Sequence, residues 1–275
     1  MRKIFAGSFE QVKDAISEKY ADNAYKDMQK LKFGGILLGG IFFLAGIYGL
    51  FTFSWYLSGD FEEPAVPLDV NNEFKNVLTS IWYVHAIALF LIIGTFTALA
   101  YSRKNNIKSF LIMNATLTGF YFFFLLYFFK LSQLLVNSFA YRVIYDVLFI
   151  SILAFVAYKI YQNAMGMVYG SKKGRLFLVE WASENRKKIL GLLVGLWGIG
   201  QIAKAVFGSP ENDFETRFIG AIIEFIPLGA CALAFVLIYM FGNVMRGFYL
   251  NKYSEQFREM FDVEKKGWYG IHTKL

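Results

Sequence analysis

The chain has 275 residues, 56% of them hydrophobic and 19% aromatic, including 31 Phe, against 18% charged. Soluble domains carry about 25% charged residues, so this composition excludes an ordinary soluble globular protein and points to an integral membrane protein. The formal charge of +7 does not indicate nucleic acid, because Lys and Arg fall in short clusters flanking apolar runs rather than in one stripe or binding motif.

Residues 1–33 have a basic start but no uninterrupted apolar core or small-residue cleavage pattern, so no removable signal peptide is expected. Val12, Ile16, Tyr20, Met28 and Leu31 recur near one face at helical spacing, and Ser8 and Gln11 are placed as a capping box. The pattern predicts an amphipathic cytoplasmic helix over 8–31. Its apolar face packs on the membrane surface or on the bundle, with docking of a cytosolic partner as the alternative use.

Crossing a hydrocarbon core of about 30 Å takes about 20 apolar residues. Six runs qualify: 34–57, 77–101, 109–130, 143–161, 189–208 and 218–245. The predicted fold is therefore all-α and polytopic, with six transmembrane helices over 34–245 between the N-terminal segment 1–33 and a C-terminal tail, 246–275. Six crossings put both termini on one side. Arg103, Lys104 and Lys108, the group from Lys172 to Lys188, and both termini are basic, whereas 58–76 and 209–217 hold Asp60, Glu62, Glu63, Asp69, Glu73, Glu211, Asp213 and Glu215. The positive-inside rule then makes both termini cytoplasmic, in a plasma membrane.

Within the first and fifth runs, Gly35 with Gly39 and Gly191 with Gly195 are small residues four apart, read as helix-packing positions. The third run ends ambiguously: "LSQLLVNSFAY" after Lys130 either extends the helix or lies flat at the interface. In the tail, Phe257, Met260 and Phe261 are expected to face the membrane, and Trp268 and Tyr269 to anchor at the headgroups.

Ionisable residues inside spans mark functional sites by default, because an unpaired charge in hydrocarbon is costly. His85, Lys130, Asp146, Lys204 and Glu224 all fall in the outer halves of their spans. Lys130 with Asp146, and Lys204 with Glu224, lie at matching depth on neighbouring spans, so each hairpin offers a cation and an anion to pair. Lys130 also has the option of reaching outward to the headgroups. Pro227 frees the carbonyl of Ile223 beside Glu224, and Asn114, Thr116, Thr118 and Gln201 are expected to bridge helices or line the lower part of a cavity.

Catalytic patterns are missing: no G-x-S-x-G, no H-E-x-x-H, no Glu-Glu pair with a following Arg, and His85 and His272 on opposite faces of the membrane. "MVYGSKKGR" lacks the spacing of a phosphate cradle. The single cysteine, Cys231, lies in an apolar run, so neither an intrachain disulfide nor a thiolate metal site is available. The leading expectation is a non-enzymatic binding or accessory membrane protein. It takes no cofactor or metal, and its five ionisable residues line an outward-facing pocket for a lipid headgroup, a peptide or a partner span. The alternative is a small-solute or ion-coupled transporter using Asp146 or Glu224; a lipid-modifying enzyme stands third. The expected partners are the bilayer and a membrane protein, peptide or lipid, not nucleic acid.

Overall fold

The computed structural model describes residues 4–30, 81–102, 104–135, 139–170 and 214–270, with short helical pieces at 40–41, 44–46 and 48–49. Apart from turns and short connecting stretches these residues are helical, and no strand occurs among them. Among the described residues, four helices are long and apolar enough to cross a membrane: α3 (Ile81–Ser102), α4 (Asn106–Leu135), α5 (Phe139–Tyr169) and α6 (Phe214–Lys252). They coincide with the expected spans 77–101, 109–130, 143–161 and 218–245. The expected spans 34–57, apart from the short pieces, and 189–208, with their glycine pairs, lie outside the described residues.

The helices outrun the apolar windows because backbone hydrogen bonding does not stop where hydrocarbon does. Thus α4 continues past Lys130 through Ser132 and Gln133 to Leu135, which resolves the ambiguous boundary as a helical extension. Likewise α6 is helical without interruption past Pro227.

Helix α4 packs against α3, α6 and, less extensively, α5. The α3–α4 pair is antiparallel, as its contacts show in register. Ser109 Oγ donates to the Ala98 carbonyl at 2.6 Å. A Cβ at Gly94 would collide with Thr116 Oγ1, and one at Gly119 would lie 2.6 Å from the Phe90 ring tip. Each helix therefore offers a glycine gap to a side chain of the other, the close approach by which helices adhere where lipid supplies no hydrophobic drive.

The N-terminal segment is not one helix. It consists of α1 (Phe9–Val12), a 3-10 turn (Lys13–Ala15) and α2 (Glu18–Lys30). The break has a local cause. Ile16 takes an extended backbone and is 2% exposed, and Ser17 Oγ then accepts the Tyr20 amide at 3.2 Å to start α2. The capping position expected at Ser8 is used, with the Ser8 amide donating to Gln11 Oε1 at 2.9 Å. Helix α2 lies on α4, burying Ala21, Ala24, Tyr25 and Met28.

The tail forms α7 (Ser254–Met260) and α8 (Lys265–Tyr269), and α8 lies on α2 and α4. Here the structure corrects the sequence reading. Trp268 and Phe257 are fully buried, with Trp268 Nε1 donating to Ser254 Oγ at 2.7 Å and the Tyr25 ring 5.8 Å away. Trp268 is thus a core residue rather than a headgroup anchor. Its single N–H finds a partner within the chain, so nothing draws it to the interface.

Val12, Ile16, Ile107, Val168, Met245, Tyr249, Leu250, Phe257 and Trp268 form one buried cluster. It joins both terminal segments to the start of α4 and the ends of α5 and α6, so all of these lie at one end of the bundle. We call it the capped end.

Candidate functional site

Distance along each helix from the capped end places the ionisable residues. At about 1.5 Å per residue, Lys130 stands about 36 Å along α4 from Asn106, and Asp146 about 35 Å along α5 from Tyr169. Glu224 stands about 37 Å along α6 from Tyr249, and His85 about 26 Å along α3 from Ser102. The four helices therefore carry these residues at the end opposite the cap, His85 somewhat deeper than the others.

The described side chains include two of the five, His85 and Asp146. His85 is exposed, and its Nδ1 lies 3.1 Å from Tyr48 Oη, with the rings 5.8 Å apart and inclined at 66°. It therefore meets the apolar stretch 34–57 through a hydrogen bond and an edge contact. Asp146 is half-buried on α5. The side chains of Lys130 and Glu224, and the whole of Lys204, lie outside the described residues, and with them both expected ion pairs. Gln201 does as well.

The uncharged polar residues of α4 behave differently from the sequence reading. Asn114 Nδ2 donates to the Phe110 carbonyl at 2.9 Å, Thr116 Oγ1 to Ile112 at 2.9 Å and Thr118 Oγ1 to Asn114 at 2.7 Å. Each donates one turn back to a carbonyl of its own helix, so these hydrogens are used within α4 and not across to another helix. Thr116 contributes by shape, filling the gap at Gly94. Among the described residues, no group of three His, Cys, Asp or Glu side chains is placed to hold a metal ion.

The capped end holds a site that sequence reasoning missed. The last turns of α6 grip residues 4–7 through their backbone. Tyr249 Oη donates to the Ile4 carbonyl and accepts the Gly7 amide at 3.2 Å, Lys252 Nζ reaches the carbonyls of Phe5 and Gly7 at 3.2 and 3.3 Å, and Tyr253 Oη donates to Gly7 at 2.5 Å. Gly7 is needed here for space, since a Cβ would come within 2.9 Å of Val168 Cγ1, 3.0 Å of Tyr249 Oη and 3.1 Å of Val12 Cγ1. The readable signal was Tyr249 near the end of α6 and Tyr253 just beyond it, four residues apart, opposite a glycine in an otherwise side-chain-rich terminus.

Behind this grip, Tyr20 Oη donates to the Asn243 carbonyl at 2.8 Å and its ring packs edge-on to Phe110. Burial holds the Tyr20 hydroxyl well above the usual tyrosine range, against the opposing pull of Arg246. Gly267 O accepts from Gln29 Nε2 at 2.6 Å and Asn106 Nδ2 at 3.2 Å, tying α8 to α2 and α4. Among the described residues, Asn106 Oδ1, Asn163 Oδ1 and Arg246 Nε are buried without a hydrogen-bond partner.

Four apolar helices of spanning length with an all-helical fold define the class: a membrane-embedded helical protein. No family model, curated protein or solved structure matches the chain.

Proposed function

We propose that the chain is a non-enzymatic, six-helix plasma-membrane protein with cytoplasmic termini. In this reading it acts as a binding or accessory subunit whose outward-facing pocket, lined by His85, Lys130, Asp146, Lys204 and Glu224, receives a lipid headgroup, a peptide or a partner span. One observation carries the reading. The two ends of the bundle are built differently: both terminal segments are woven into a buried apolar cluster at one end of α4, α5 and α6, while His85, Lys130, Asp146 and Glu224 stand toward the other. A carrier must open both faces in turn, and prying apart a cluster that contains fully buried Trp268, Tyr249 and Phe257 is costly. A receptor for an outer ligand needs only one open face.

The test has two arms. Purification in mild detergent is expected to bring down a stoichiometric membrane partner or a tightly held lipid, and repeated recovery of a bare chain counts against the reading. In reconstituted vesicles, solute flux that Glu224→Gln and Asp146→Asn abolish while expression is unchanged would replace the proposal with the coupled transporter.

A further inference from the structure

We propose that Arg246 anchors a phosphate-binding site at the capped end, where α6 meets Tyr20 of α2, for the phosphate of an anionic lipid headgroup or of a soluble phosphate compound. This site lies at the opposite end of the bundle from the outer pocket and does not depend on it.

The argument starts from an unmet need. Arg246 Nε is buried and has no acceptor, and the guanidinium lies over the Tyr20 ring with Cζ 5.8 Å from its centroid. Tyr20 cannot supply a counter-charge: burial keeps it neutral, and its hydroxyl proton is committed to Asn243. Among the described residues no carboxylate pairs with Arg246, since the ion pairs there are Lys13–Glu10, Lys26–Asp22 and Arg258 with Glu255 and Glu259, all on the terminal segments.

Three other cations on these helices are already engaged. Lys252 holds the Phe5 and Gly7 carbonyls, Lys159 donates to Gln162 Oε1 at 3.2 Å, and Lys108 lies 4.2 Å over the Tyr101 ring. Among the described residues, Arg246 thus combines a buried donor without an acceptor and a charge that meets a ring face but no anion. A water molecule satisfies an N–H but brings no charge. A phosphate supplies both, and its oxygens match the guanidinium fork.

Location favours the same chemistry. Arg246 lies about 9 Å along α6 before Lys252, near the end of its apolar window Gly229–Lys252. The charged residues on the capped-end halves of α3 to α6 are all basic. Basic residues near the end of an apolar span are placed to attract the phosphates of an anionic leaflet.

The experiment uses the full-length protein stripped of lipid in detergent and titrated separately with phosphatidylglycerol, phosphatidylcholine and inorganic phosphate, read by native mass spectrometry and by thermal midpoint. Phosphatidylglycerol is expected to form a discrete adduct and raise the midpoint more than phosphatidylcholine does, with Arg246→Gln weakening binding by about tenfold or more and Arg246→Lys falling between. An equal response to inorganic phosphate, lost in Arg246→Gln, supports the site and assigns a soluble source. A wild-type protein that neither discriminates between the two lipids nor responds to phosphate overturns the proposal, even if Arg246→Gln does not fold. Binding that Arg246→Gln leaves unchanged overturns it too.

Discussion

At the capped end Tyr249, Phe257 and Trp268 are completely buried and tie residues 4–30 to residues 241–270; at the opposite end of the same helices His85 is exposed and Asp146 is half-buried. The first arrangement joins parts of the chain some 240 positions apart, for example Gly7 to Tyr249, and gains its stability from close-packed apolar volume. The second places polar groups in the spans without a comparable apolar cluster among the described residues. Stability concentrated at one end leaves the other free to carry groups that are costly to bury.

The largest expected effect tests the packed end. Trp268→Ala removes a fully buried indole and its hydrogen bond to Ser254, and comparable truncations cost about 3–5 kcal/mol. Hydrogen exchange should show faster exchange in α7, α8 and α2, with little change in the outer halves of α4 and α5. Uniform loosening of the whole bundle would show that the two ends are one cooperative unit and erase the contrast.

A smaller effect is expected midway, where the ends meet. A Cβ at Gly94 would press on Thr116 at Oγ1, Cγ2 and, at 2.9 Å, Cβ. Thr116 is β-branched and cannot swing these atoms away. Gly94→Ala should therefore destabilise the α3–α4 pair by about 1–3 kcal/mol, and adding Thr116→Ala should recover part of that loss in a detergent unfolding assay. The contact at Gly119 meets only the tip of the Phe90 ring, which can turn aside, so Gly119→Ala should cost less. If both glycines prove equally tolerant, the helices do not approach as closely as described.

These particulars show what the sequence could convey. The spans matching α3 to α6 were legible because hydrocarbon thickness sets a length that any apolar run must meet. Their ends were not, since Gln133, Asn163 and Asn251 remain helical after hydropathy has fallen. Trp268 was misread because an aromatic near a membrane face satisfies the interfacial rule and the core rule equally well; its partner Ser254 decides, and only the fold brings them together. The close approaches escaped a search for glycines four apart because α3 and α4 each offer a single glycine to a side chain of the other. For the candidate site, depth could be read by counting residues along helices. Which side chains meet depends on rotation about each axis, which no count supplies.

The smallest effect concerns charge, and it sharpens what holds the cap together. The carboxyl of Asp22 is held below its ordinary range by hydrogen bonds from Lys26 and Tyr25, and that of Glu255 chiefly by the hydrogen bond from Arg258. A group whose pKa is lower in the folded state stabilises the fold above its unfolded pKa and loses that contribution as pH falls through the folded one. With unfolded carboxylates near pH 4, the cap should keep full hydrogen-exchange protection from neutral pH down to about 5 and begin to lose it only below that. The loss should be modest, because both carboxylates lie at the solvent-exposed rim where ion pairs contribute little, and Asp22→Asn should reproduce its Asp22 share at pH 7 with less effect than Gly94→Ala. Release of α2 and α8 already at pH 6, or by Asp22→Asn alone, would mean that charge rather than the apolar cluster around Trp268 and Tyr249 closes this end.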